Sequence, residues 1–161
     1  MSTRVRVVER TSLVEAPRNE VWARVVTSAG INGEMMPVMR MATPRGRRGL
    51  TVDTVEVGRE VGRCWLFLFG LLPFDYDDLT VAELDPGHRF HERSTMGSMR
   101  RWEHERTLTS DGPSRTRVHD RVTFEPRRPL AAVPGMGGLL ARGIAAFFAH
   151  RHRRLRRHFA R

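Results

Sequence analysis

The longest run of apolar residues at helical spacing lies at the end of the chain. Between Gly137 and Arg161, the residues Leu140, Ile144, Phe147, Phe148, Leu155 and Phe159 recur three, four and seven apart. At about 100° per residue they fall within one arc roughly 120° wide, the face of an amphipathic helix. Gly137 and Gly138 follow Pro134, so the helix is expected to begin there. Arg151 falls near the middle of the apolar arc. Either its stem packs while its head reaches solvent, or it meets a carboxylate inside the fold.

Upstream the period changes to two. Residues 4–15 alternate and are rich in valine, which predicts a long first strand. Pro17 suits the first turn of a short helix with Val21, Trp22, Val25 and Val26 as its apolar face. Ser28, Ala29 and Gly30 are expected to break that helix, and residues 31–36 to form a second one that ends at Pro37. Residues 38–49 have no clear period. Met35, Met36, Met39 and Met41 cluster here, as the lining of an adaptable apolar cavity or as core filler. Six strands are then expected, at 50–57, 62–69, 74–84, 89–95, 99–109 and 115–125, separated by turns rich in Gly, Pro and Asp. Sequential antiparallel strands with one long helix on a face give a two-layer α+β fold. The sheet must curl, because one helix covers too little of a flat one.

Charge changes the picture only at the end of the chain. All 28 basic residues are arginine, against 18 acids, for a formal charge of +10. The first 125 residues hold 19 arginines and all 18 acids; from Pro126 onward there are nine arginines and no acid. Cations suit the negative end of the helix dipole, and such an end can make peripheral contact with an anionic membrane. No zinc-finger spacing or RNA-binding sheet signature accompanies it, so no specific nucleic-acid partner is expected. Cys64 is the only cysteine, which leaves no disulfide framework and no cysteine metal cluster. His150 and His152 are two apart on a helix and point in different directions, and there is no HExxH motif, so no metal or cofactor is expected. The apolar run 64–74 is too short to cross a bilayer and contains Pro73. The N-terminus lacks the apolar core of a signal peptide. A cytoplasmic protein of one domain, residues 1–161, is the expectation.

Alternation also locates the candidate chemistry. In the strand at 99–109, Trp102, His104, Arg106 and Leu108 share one face, while Arg101, Glu103, Glu105 and Thr107 make the other entirely polar. The first set therefore faces inward. By the same reasoning Val118, Asp120, Val122 and Phe124 face inward, as do Phe90, Glu92 and Ser94. Glu92, His104, Arg106 and Asp120 thus lie on apolar faces, where charge is costly unless paired. They can form a self-satisfied network, a polar anchor at the end of an apolar cavity, or an acid/base pair in which Asp120 orients His104. A turn symmetric about Gly112 would set His104 opposite Asp120 and Trp102 opposite Val122.

The element order resembles the helix-grip fold of the START-related, or SRPBCC, superfamily. The local features that carry it are Gly70-Leu71-Leu72-Pro73-Phe74 between strands, Phe90 with Glu92, Trp102 with His104, Asp120, and Phe148 through Leu155 as FAHRHRRL. The superfamily includes lipid-transfer proteins, birch-pollen-allergen-like proteins, coenzyme Q-binding proteins and aromatic polyketide cyclases, and the resemblance covers essentially the whole chain. It implies a curved antiparallel sheet around the C-terminal helix with an apolar cavity between them. It further implies binding or transport of a hydrophobic small molecule or lipid. Candidate ligand contacts are Met39, Trp65, Phe67, Tyr76, Phe90, Trp102 and Phe148, with Glu92, His104, Arg106 and Asp120 as polar contacts. The same fold also serves polyketide cyclase/dehydratase-like enzymes, in which His104 and Asp120 would be the acid/base pair. The fold specifies the cavity, and the chemistry has to be read from its walls.

Overall fold

The computed structural model describes residues 5–161; position 4, the first of the predicted opening strand, lies outside them. The elements are β1 (Arg6–Val14), α1 (Arg18–Val25), α2 (Ser28–Met35), β2 (Met39–Met41), β3 (Glu60–Leu68), β4 (Leu72–Asp85), β5 (Arg89–Met96), β6 (Met99–Ser110), β7 (Thr116–Pro126), a 3₁₀ turn at Leu130–Ala132, and α3 (Met136–Phe159). The strands form one antiparallel sheet in the order β1-β7-β6-β5-β4-β3-β2. It curls into a half-barrel around α3, which packs on β1 and α2. This is the α+β helix-grip architecture. Register breaks at Glu60/Gly62 and Val81/Glu83 add the local twist that curling needs.

Two elements differ from the sequence pattern. Ser28, Ala29 and Gly30 do not interrupt the chain; they are the first turn of α2. Thr27 caps that helix, its Oγ1 accepting from the Gly30 backbone N–H at 3.0 Å, and a capping hydroxyl outweighs the weak helix propensity of Ser28 and Gly30. Residues 50–57 form turns rather than a strand. Thr51 N donates to Thr54 Oγ1 at 3.0 Å, and Asp53 accepts from Trp22 Nε1 at 3.2 Å. These local side-chain bonds replace a ladder, and they turn Val52 into the core beneath α1.

The register of the β6–β7 hairpin is also two residues away from the symmetric expectation. Ser110 pairs with Thr116, so the loop is Asp111–Arg115, closed by Asp111 N donating to Arg115 O at 2.9 Å. Gly112 takes φ +82° within the loop, but Pro113 is its centre. His104 therefore stands opposite Val122, Arg106 opposite Asp120, and Trp102 opposite Phe124. A shift of two preserves the face of every side chain, so His104 and Asp120 still point inward as diagonal neighbours.

The interior is layered along these elements. One apolar cluster joins Val14, Trp22, Phe90, Leu108, Val118 and Leu155. A second joins Leu66, Met96, Met99, Val122, Phe124 and Phe148. On β7 the order is Val118, Asp120, Val122; on β6 it is Leu108, Arg106, His104, Trp102; on α3 it is Leu155, His152, Arg151, Phe148. Each element thus passes from one cluster to the other through polar residues, and those residues meet.

Candidate functional site

Arg106 is the centre of the polar layer, 1 % exposed. Its guanidinium grips Asp120 with two bonds, Nε to Oδ1 and Nη2 to Oδ2, each 2.7 Å. Nη1 and Nη2 also donate to the two carboxylate oxygens of Glu34 at 2.7 and 3.0 Å. Arg151 reaches the same Glu34 from α3, at 3.0 to 3.1 Å. Its head therefore does not run out to solvent; it meets a carboxylate inside the fold. His104 donates Nε2 to Asp120 Oδ1 at 2.8 Å, and its Nδ1 lies 3.4 Å from Glu92, its direct cross-strand neighbour.

Electrostatics follow from this geometry. Burial disfavours charge on Asp120 and Glu34, but the arginines outweigh it, so Asp120 is held well below the usual carboxylate range and Glu34 below its own. Burial also pushes His104 down, yet Asp120 and Glu92 together hold it above the ordinary histidine value. His152 goes the other way, because burial dominates and keeps it neutral. Ionised Asp120 can only accept, so His152 Nε2 carries the hydrogen, donating to Oδ2 at 2.7 Å, and its Nδ1 accepts from Ser12 Oγ at 2.6 Å. Asp120 thus accepts four bonds and has no lone pair free.

Beside this layer an apolar pocket of about 500 Å³ opens between the sheet, α2 and α3. Five methionines (Met35, Met39, Met41, Met96 and Met99) contribute to its wall, giving it an adaptable apolar lining. Leu139, Gly143 and Phe74 stand at its exposed edge. Glu92, His104 and Arg151 bring the polar layer to its inner end, and Asp75 and Asp77 enter from β4.

Of the residues singled out in the sequence, Met39, Phe90, Glu92, Trp102 and His104 line this pocket. Arg106 and Asp120 lie behind that wall. Phe148 is buried beneath it, its ring edge-on to His104 at 5.2 Å. Trp65 and Tyr76 are placed differently from the lining role expected of them. They lie on the convex face, ring against ring at 5.7 Å, because their parity in β3 and β4 is opposite to that of inward Cys64, Leu66, Asp75 and Asp77. Phe67 also stays out of the pocket; it shares the outward parity of Trp65 and pairs with Arg40 of β2, whose guanidinium lies 4.5 Å from the ring centre. His150 donates to Met36 O at 3.0 Å while His152 turns to Asp120, so the two rings do point apart. Cys64 is buried and its thiol is pushed up to about 12 by burial, which leaves it an unreactive apolar side chain.

Three contributors were missed. Glu34 is a lone acid between Gly33 and Met35 in a weakly polar helix; that isolation was its only signal. His152 lies four residues after Phe148 and three before Leu155, on the apolar arc. Asp77 shares the parity of Leu79 and Val81, the same pattern that located His104.

Asp77 differs from Asp120 and Glu34 because no cation among the described residues faces it. Burial and the neighbouring acids Glu92, Asp78 and Asp75 raise it from 3.8 to about 7. An acid with a raised folded-state value gives stability that is fully present below the unfolded value and lost as pH rises through the folded one. Asp77→Asn is therefore expected to stabilise the fold by about 2 kcal/mol at pH 8, from the ~1.4 kcal/mol that each pH unit represents less the cost of burying an amide. The gain should vanish near pH 4. Urea unfolding at the two pH values checks this, and a gain of equal size at both would contradict it.

The curled antiparallel sheet that grips α3 is a START-like fold. Within that class the chain belongs to the family described as Domain of unknown function (DUF8410), which matches residues 12–159. No curated protein matches it in sequence. Among solved structures, a protein from Chromobacterium violaceum superposes with a TM-score of 0.71 at 12% identity, covering 95% of this chain and 96% of that one. A START superfamily protein from Mycobacterium smegmatis gives 0.68 at 14% identity, covering 96% and 97%. The Zhui aromatase/cyclase from a Streptomyces species gives 0.55 at 19% identity, covering 96% of each chain. At such identities the likeness is one of fold. No helix among the described residues is long and apolar enough to cross a membrane.

Proposed function

We propose that this protein binds a hydrophobic small molecule or lipid in the pocket between its sheet and α3. The observation that supports this most is the pocket itself: about 500 Å³, in the range of small-molecule sites, and mostly apolar, with a minority of polar groups in its wall. The saturated state of Asp120 favours binding over acid/base chemistry, since a carboxylate with four bonds accepted cannot take up a further proton without losing one. Gly143 provides the test. A Cβ there would meet nothing within 4 Å, and the position lines the pocket at its exposed edge. Wild-type protein is expected to bind the neutral fluorophore N-phenyl-1-naphthylamine saturably. Gly143→Phe should abolish that binding while leaving the fold intact, because glycine inside a helix is itself destabilising by about 0.5–1 kcal/mol. Absence of saturable binding by the wild type, or its persistence in Gly143→Phe, would count against the pocket.

One observation favours a second reading, a cyclase or dehydratase of the kind the aromatase/cyclase fold relative represents. His104 is in the pocket wall and is held above the ordinary histidine value by Asp120 and Glu92, so in that reading it donates a proton to a bound carbonyl rather than abstracting one. Turnover of an aromatic polyketide-like substrate that is lost in His104→Ala would establish it; wild-type binding without turnover would dismiss it.

A further inference from the structure

Among the described residues, two buried side-chain oxygens have no hydrogen-bond partner, Asp77 Oδ1 and Ser94 Oγ. Each residue is only 8 % exposed. Buried polar atoms are almost always partnered in folded proteins, so two that are not, at one place, call for an explanation. They are neighbours. Asp77 in β4 pairs with Met96, and Leu79 with Ser94, so Asp77 and Ser94 are diagonal across β4 and β5 on the inward face. Ser94 comes close enough to favour the ionised form of Asp77 yet completes no hydrogen bond with it. Asp77 is also in the pocket wall, whereas Ser94, its diagonal neighbour, is not one of the residues that line the pocket.

The other polar groups at this end are already occupied. Asp75 accepts from the backbone N–H of Tyr76 and from the Ser98 hydroxyl. Glu92 lies on His104, and Arg151 on Glu34. The ionisable groups that act on Asp77 are Asp75, Asp78 and Glu92, all acids. A carboxylate or phosphate head group would meet that set without a free cation to pair with, at a cost of like-charge repulsion in a desolvated place. A hydroxyl has the complementary chemistry: its hydrogen can be given to Asp77 Oδ1, while Ser94 acts from behind by favouring the ionised form of Asp77.

Building on the pocket reading above, we propose that Asp77, supported by its neighbour Ser94, forms the polar recognition point of the pocket, and that its ligand is an apolar molecule bearing an alcohol or phenol rather than an anionic head group. The experiment is displacement of N-phenyl-1-naphthylamine at neutral pH by three compounds of one skeleton: 2-naphthol, 2-naphthoate and naphthalene. The naphthol is expected to displace the fluorophore at about ten-fold lower concentration than either of the others, the discrimination of one good hydrogen bond to a charged or partly charged acceptor. Asp77→Ala should bring naphthol to within about two- to three-fold of naphthalene while naphthalene itself is unchanged. Ser94→Ala, a smaller change, should lower the naphthol preference in the same direction and guards against a folding defect in the first variant. Equal displacement by naphthoate, or a naphthol preference that survives both substitutions, would overturn this inference and leave the pocket standing. Failure of the wild type to bind the fluorophore at all would overturn the pocket reading and this inference with it.

Discussion

Arg106→Ala is expected to destabilise the fold by about 3–5 kcal/mol at pH 7, the penalty for leaving buried charge uncompensated. Arg106 makes two bonds to Asp120 and two to Glu34, and both acids are 1 % exposed. Truncation would leave Asp120 with only the two histidines, and Glu34 with Arg151 alone. The loss is therefore larger than the net value of the ion pairs, which burial largely cancels in the wild type.

The pH dependence of that loss is a sharper test than its size. Asp120 and Glu34 have folded-state values below their unfolded ones, so their contribution is present above the unfolded value, near 4, and disappears as pH falls through the folded one. In Arg106→Ala the cation that lowers them is gone, burial prevails, and both carboxyls become easier to protonate. The deficit of the variant should then shrink as pH drops from 7 toward 4. His104 acts in the opposite sense: its raised value gives stability present below the unfolded histidine value and lost as pH climbs through the folded one. Urea unfolding of both proteins across pH 4 to 9 would expose a purely packing role for Arg106, because that role predicts the same deficit at every pH.

How much of this was legible in the sequence depends on the range of the interaction. Period and parity are local, and they placed the long helix, the strands from β3 to β7, and the inward face of Glu92, His104, Arg106 and Asp120. Parity survived even where register did not. The hairpin loop is centred on Pro113 rather than Gly112, so the pairs shifted by two, yet His104 still reaches Asp120 diagonally at 2.8 Å. Contacts made across the fold left no such trace. Glu34 meets Arg106 from 72 positions away, and Ser12 meets His152 from 140; no periodicity links them. Turn chemistry misled in another way. Residues 50–57 read as a strand, but Thr51, Asp53 and Thr54 bond locally and fold the segment onto α1 instead. Aromatic character misled at Trp65 and Tyr76, which were expected to line the pocket on account of their size although their parity puts them on the convex face.

Phe148→Ala is expected to cost about 3–5 kcal/mol, the range for removing a buried phenyl ring and leaving the space behind it. Phe148 is 1 % exposed. Its ring is edge-on to His104 at 5.2 Å and to Phe147 at 6.0 Å, with the Arg151 guanidinium 5.0 Å from its centre. It is the fully buried member that α3 contributes to the second apolar cluster, which also holds Val122 and Phe124 of β7. Phe147 beside it is the control. It is partly buried, it packs on the same cluster from the pocket side, and it contributes to the pocket wall. Phe147→Ala should cost only about 1–2 kcal/mol, in proportion to its smaller burial, but should weaken fluorophore binding, whereas Phe148→Ala should cost stability first. If the helix is gripped through Phe148, urea unfolding separates the two variants by about 2 kcal/mol. Equal losses, or a Phe148→Ala loss below about 1.5 kcal/mol, would mean that the sheet does not hold α3 through this ring.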